Sequence, residues 1–413
     1  MSLALSQLLG APVLDSSGSE AGRVQEVAVS PQEHSARVAG LVVARGSDQC
    51  LVPHEAIIAL SGRGARVTTA AAEWPPFTGG EGMLLLERDL LDQQIIDVHG
   101  RKVVRVNDVD LQQEFVNNTV TFRVFEVDVG TRGAVRRLLK GVVPARALEA
   151  LLVRIPPRVI PWEFVDLIET DPARRVKLRI AHERLAKLHP ADIADIIEEL
   201  SPAEREAVFE TLNEEVAAEA LEEIEPKLQV SIVESLDSDR AADIVEEMDP
   251  DAAADLLADL SEETSEEILE EMAPEEREEV SELLEFEEHT AAGRMTTDYI
   301  AVAPDATVAD AVRALREFEG GIESLSTIFL VDTAEKLRAA VPLARLVLAP
   351  ENTLLSTLAG EPLVSCLADA SEKDAVDLFD KYNLLTLPVL DENGKLVGVI
   401  TADDIISLLR SKL

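Results

Sequence analysis

The sequence predicts a multidomain α+β chain: two small β-rich units, an all-α right-handed superhelical repeat, and a duplicated α/β module. Three regularities carry that reading. Leu14–Val27 aligns without gaps on Ile96–Val109 at a shift of 82 residues. Apolar anchors and prolines recur every 24 residues between positions 200 and 284. Val331–Leu346 aligns without gaps on Leu390–Ile405 at a shift of 59. With 413 residues and 46% hydrophobic content, the chain can build several packed cores.

In the first third, short β-branched runs (Arg23–Ser30, Ala36–Arg45, Leu51–Leu60) are punctuated by Gly and Ser, the pattern of strands and turns. Residues 70–82, AAAEWPPFTGGEG, are expected to be a linker. Under the 82-residue shift, Asp15 matches Asp97, Gly18 matches Gly100, and Arg23-Val24 matches Arg105-Val106. A later stretch, Val52-Pro53-His54-Glu55, corresponds to Ile160-Pro161-Trp162-Glu163. An Asp/Gly turn before an Arg-Val strand resembles the PRC-barrel family. The resemblance implies two small β-barrels, over residues 1–80 and 85–175, that serve as interaction and docking modules.

Residues 183–290 form the repeat. Leu200, Ile224, Met248 and Met272 lie 24 apart, as do Pro202, Pro226, Pro250 and Pro274, and Leu212, Leu236, Leu260 and Leu284. A fixed period of this size marks a solenoid of stacked supersecondary units. Proline fits the first turn of a helix, where its missing N–H has no partner to lose, so each x-Pro predicts a helix start. Ser201 with Glu204 adds a capping box. A long coiled coil is excluded, because a proline every 24 residues breaks it. Charge is concentrated here. Residues 1–187 carry 23 basic and 23 acidic side chains, residues 188–288 carry 4 and 37, and residues 289–413 carry 11 and 19. Such a surface repels nucleic acid and attracts cations; a solvated acidic face kept for solubility is the plainer reading.

Residues 295–413 contain two βαββα-like halves. Asp305, Thr307 and Asp310 match Asp369, Ser371 and Asp374. The second half ends in Leu387-Pro388-Val389 followed by Gly398-Val399-Ile400-Thr401-x-x-Asp404. That ending resembles a CBS domain, and two in tandem make a Bateman module.

The acidic repeat, then Glu287-Glu288-His289-Thr290-Ala291-Ala292-Gly293-Arg294-Met295-Thr296, then paired CBS domains, together resemble the cytosolic part of MgtE magnesium transporters over about residues 185–413. The resemblance implies a homodimer formed through the CBS domains. It also implies regulatory Mg²⁺ bound between helical and CBS domains, holding a closed arrangement. Carried over residue by residue, it implies a metal set of Asp251, Asp255, Gly293 (through its backbone oxygen) and Asp404. Asp251 and Asp255 are four apart, so a helix would present both on one face. Hard cations take such oxygen ligands, often one or two carboxylates plus waters. Surface acids in a crowded acidic segment are the alternative. The family's acidic and aromatic positions after a tyrosine are Asn383 and Leu384 here, a departure that weakens one cation site and nucleotide stacking. Thr401 and Asp404 are nucleotide-binding candidates for ATP or AMP; the alternative is that Thr401 caps a helix at Ala402. In the first CBS half Pro342 and Arg345 stand at those positions.

No run of apolar residues reaches the length of a membrane span and no secretory leader is apparent, so the expected setting is cytoplasmic, with peripheral membrane association at most. The sequence ends where the family continues into its pore, so the expectation is a protein that does not itself transport. Cys50 and Cys366 suggest no disulfide framework. The six histidines show no H-x-x-x-H spacing, and P-loop, G-x-G-x-x-G and G-x-S-x-G signatures are absent, so no enzyme is expected. The leading expectation is a Mg²⁺-sensing regulator acting on a separately encoded divalent-metal transporter. An adenine-nucleotide-sensing module and a passive scaffold are the alternatives.

Overall fold

The protein was analysed as a computed structural model that describes residues 2–30, 37–79, 82–116, 119–140, 142–143, 145–168, 182–287, 289–318, 320, 325–360 and 362–411. The last residues of the second β-rich unit, 169–175, and Glu288 of the hinge lie outside the described residues. The chain divides into two compact units, Met1–Ile224 and Glu225–Leu413.

In the first unit, both β-rich segments feed one curled, nearly closed 11-stranded sheet. Its main path runs Ser2–Ala4, Asp108–Val116, Thr119–Asp128, Arg37–Arg45, Glu20–Ser30, Pro12–Leu14, Gly64–Val67, Ile57–Ser61. Ser2–Ala4 pairs antiparallel with Asp110–Gln112, so the first strand of one segment completes the other. A three-stranded sheet of Lys102–Arg105, Gln94–Asp97 and Val165–Leu167 stands beside it. One core serves both segments, including Leu5, Val27 and Leu41 from the first and Leu86, Val109 and Val127 from the second.

The internal repeat is visible as matching local structure. In the first copy Asp15 accepts from the Ser17 N–H at 2.9 Å, and Gly18 takes a left-handed φ of +80° that suits glycine. In the second, Asp97 accepts from the Gly100 N–H at 2.9 Å. There the positive φ falls to Arg101, and glycine is needed for room, since a Cβ at position 100 would sit 2.2 Å from the Asp97 carboxylate. Pro53 and Pro161 each end a strand and lead into a 3₁₀ turn, His54–Ala56 and Trp162–Phe164. Within the expected linker at 70–82, one described side chain is buried while its neighbours Ala72, Glu73, Pro75 and Pro76 are exposed. Trp74 is 5% exposed in the shared core and its Nε1 donates to Thr69 Oγ1 at 3.0 Å. One large aromatic outweighs the local Pro/Gly signal, because burying it removes more apolar surface from water than any neighbour does.

The repeat folds as helix pairs. Helices begin at Pro202, Pro226, Pro250 and Pro274, each with proline in the first turn. Ser201 and Glu204 form the capping box, with the Ser201 N–H donating to Glu204 at 2.9 Å. Leu200, Ile224, Met248 and Met272 are buried, whereas Leu236 and Leu284 are only half-buried. Within the second unit, Glu246 accepts from the Ala273 N–H at 3.0 Å, so one repeat caps the next.

The CBS pair follows. Each half has a short strand parallel to the next strand, a helix, and an antiparallel pair: Ile300–Val302, Val308–Glu317, Thr327–Val331 and Leu337–Pro342; then Cys366–Leu367, Glu372–Tyr382, Thr386–Leu390 and Leu396–Thr401. Thr307 with Asp310 and Ser371 with Asp374 cap the two equivalent helices in the same reciprocal way. The register shifts fall at Leu330/Val331 and Val389/Leu390, which are 59 residues apart. Asn383 ends its helix at φ +51°, a left-handed cap that asparagine tolerates better than a carboxylate-bearing or aromatic residue. This accounts locally for the departure at that position.

Candidate metal centre

Two helix N-termini of the second unit bring carboxylates together. The Pro250–Asp259 helix carries Asp249 at its N-cap and Asp251 in its first turn. The Ala402–Ser411 helix carries Asp403 and Asp404 in its first turn. A helix N-terminus favours negative charge, which explains why acids gather at each end. It does not explain why the two acidic ends should meet.

They do meet. Burial, then the Asp404 carboxylate, then Asp249, push the Asp251 carboxyl well above its ordinary value, against a hydrogen bond from Thr296. Burial is the main cause that raises Asp404 to about 6, with Asp403 and Asp249 adding and hydrogen bonds from Thr401 opposing. Asp249 is raised by burial and by Asp403. Like charges withdrawn from water and held together must share protons or take a cation.

Thr401 is the cap of its helix. Its N–H donates to Asp404 Oδ2 at 2.7 Å, and its hydroxyl, with one proton to share, lies 2.7 Å from the same oxygen and 2.8 Å from Asp403 Oδ1. The nucleotide candidates Thr401 and Asp404 are therefore engaged with each other. Thr401 also lines a cleft with Asp298, Ser326, Thr327 and Thr386, whose free volume is about 10 Å³, room for about one water.

Asp255 and Gly293 occupy a second neighbourhood. Asp255 is exposed, and its Oδ2 accepts from Arg294 Nη1 at 2.8 Å. Arg294 Nε donates to Glu372 Oε1 at 3.0 Å, and His289 lies 3.5 Å from the same carboxylate. Glu372 is 8% exposed along its side chain. A guanidinium thus joins the repeat helix to the first turn of the CBS helix Glu372–Tyr382. The Gly293 N–H donates to Thr290 Oγ1 at 3.2 Å, and its carbonyl precedes this arginine. So the structure brings Asp251 and Asp404 together and draws Asp255 toward Arg294. Among the described residues no three His, Cys, Asp or Glu side chains form a ready metal cage. A divalent ion that keeps its waters takes only one or two carboxylates.

Sequence reasoning missed Asp249, Asp403, Thr296, Arg294 and Glu372. Asp249 and Asp403 each adjoin a helix start that the proline and threonine signals mark, but in a stretch rich in acids nothing singles them out. Arg294 could have been found as the basic residue at the hinge beside a run of acids.

Comparison with known proteins follows the same division. The family model described as MgtE intracellular N domain matches residues 188–289. The CBS domain model matches residues 355–411. The magnesium transporter MgtE of Thermus thermophilus is 32% identical over 130 residues, covering 32% of this chain and 29% of that protein. Its counterpart from Enterococcus faecalis is 28% identical over 127 residues, covering 31% and 28%. The chain thus spans under a third of the length of these curated relatives. A crystal structure of the cytosolic domain of the Mg²⁺ channel MgtE in complex with ATP is 30% identical, with a TM-score of 0.52, over 56% of this chain and 94% of that one. The soluble part of a magnesium transporter is 26% identical, with a TM-score of 0.53, over 57% and 92%. Among the described residues no helix is long and apolar enough to cross a membrane.

Proposed function

The chain belongs to the MgtE family through its N-domain-like helices and CBS pair, and from that premise we propose that it is a Mg²⁺-responsive regulatory protein. A cation held by Asp251 and Asp404 would neutralise the facing carboxylates and favour the state in which repeat and CBS pair are closed on each other. The observation that carries this reading is the half-buried Asp251 carboxylate facing Asp404 across two helix N-termini. Asp249 and Asp403 would accept the ion's waters. Arg294 would hold the Asp255 side closed with its own charge, so the divalent ion acts at one clasp and the guanidinium at the other. The output would be regulation of divalent-metal transport, through a homodimer of CBS pairs, with the β-rich segments docking the transporter.

Calorimetry with MgCl₂ and hydrogen exchange of the two N-terminal turns test the proposal. Saturable binding and slowed exchange at Asp251–Ala254 and Asp403–Leu408, both abolished in Asp251→Asn/Asp404→Asn, are expected. Equal exchange with and without Mg²⁺ in the wild type would refute it.

A further inference from the structure

A second cavity of the Glu225–Leu413 unit is lined by neither carboxylate of the Asp251/Asp404 pair. It is a cleft of about 440 Å³ between the Pro274–Leu284 helix and the CBS pair, within the size range of small-molecule sites. Glu279, Glu282, Leu283 and Phe286 line one wall. Glu279, Glu282 and Leu283, spaced i, i+3 and i+4, share one stripe of the helix, and Phe286 follows two residues beyond its end. Thr297, Tyr299, Val331 and Leu396 line the other wall, near the Glu335–Lys395 ion pair at 2.7 Å.

The lining is amphipathic in a specific way. Leu283 and Leu396 are 6% and 3% exposed and form an apolar floor, while Phe286 keeps 38% of its surface open at the cleft. Glu279 and Glu282 have no ion-pair partner among the described residues. The only cation on the lining, Lys395, already meets Glu335. Thr297 Oγ1 is buried without a hydrogen-bond partner among the described residues. A buried hydroxyl left unpaired costs free energy that a bound donor would recover. Burial is the largest reason that the Tyr299 phenol titrates above its ordinary value; Lys395 opposes the rise, and Glu335 and Glu279 add to it.

We propose that this cleft binds an organic cation with an aliphatic body, of the linear polyamine class. Methylenes would lie on the floor and on Phe286, whose ring face attracts cationic nitrogen. Ammonium groups would meet Glu279 and Glu282, and one N–H would satisfy Thr297. A hydrated divalent ion would waste the apolar floor, and an anion would meet the wrong charge. The inference does not depend on the Mg²⁺ reading, because none of its residues belongs to that pair.

The test is calorimetry of the full chain with spermidine at physiological ionic strength. One saturable site is expected, weakened about tenfold or more by Glu279→Gln/Glu282→Gln and by Phe286→Ala, and unchanged in Asp251→Asn. Both glutamates lie on the helix surface, so their replacement leaves the core intact. Magnetisation transfer from spermidine methylenes to the Phe286 ring gives a second readout on unaltered protein. Binding that never saturates, or that all three variants share with the wild type, would reduce the effect to general counterion attraction and overturn the site. Absence of transfer to Phe286 would do the same.

Discussion

Asp404 has two duties that pull against each other. It caps its own helix through Thr401 and it faces Asp251. Its carboxyl titrates at about 6 in the folded protein, above the ordinary 3.8. Folding therefore favours the protonated form. Without a divalent ion, the Asp404 contribution to stability is lost as pH rises from about 4 through about 6. Asp251, raised by burial and by the Asp404 carboxylate, acts in the same direction. Cation binding needs ionised carboxylates, so Mg²⁺ affinity should climb with pH through about 6. Thermal melts across pH 4–8, with EDTA and with MgCl₂, check both slopes. Asp251→Asn should raise the melting temperature in EDTA, by relieving the like charge, and cut Mg²⁺ affinity by about tenfold or more. Arg294 sets a contrasting expectation. Arg294→Met takes the guanidinium away from the nearly buried Glu372 and should cost about 1–3 kcal/mol. Asp255→Asn, at an exposed pair, should cost at most about 0.5 kcal/mol and leave Mg²⁺ affinity within about twofold. A large loss of affinity in Asp255→Asn would return Asp255 to the ligand set.

At the scale of elements, the helical repeat was the most readable part. A proline at N1 marks a start that few other signals can imitate, and all four predicted starts are helix starts. The CBS pair was equally plain, because its duplicated caps and strands keep one spacing. Asp251, Asp255 and Asp404 all came from the family resemblance, and helical spacing added that Asp255 shares a face with Asp251; Arg294, which donates to Asp255, was not singled out. The β-rich segments were readable as strands but not as a shared sheet, since pairing between Ser2–Ala4 and Asp110–Gln112 leaves no local trace. The repeat also allows a ranking. Met248 is 6% exposed, whereas Leu236 is half-buried although it holds an equally periodic place. Met248→Ala should cost about 2–5 kcal/mol and Leu236→Ala clearly less, as urea midpoints at constant slope would show.

At the scale of the whole molecule, the net charge of −41 is the background against which the clasp works. Monovalent salt screens the exposed acids. It reaches a half-buried carboxylate pair poorly. MgCl₂ at about a hundred times its dissociation constant should therefore add about 2.7 kcal/mol beyond what NaCl of equal ionic strength provides. That surplus should disappear in Asp251→Asn/Asp404→Asn. If NaCl matches MgCl₂ in the wild type, the acidic repeat is a solvated surface and no more.

The strand Ser2–Ala4 has a consequence for synthesis. It pairs with residues more than a hundred positions later, so on the ribosome it waits, unpartnered, until Asp108–Val116 has emerged. Contacts this distant in sequence are slow to form because the intervening loop must close first. The barrel-like sheet should therefore lock late, after its local hairpins.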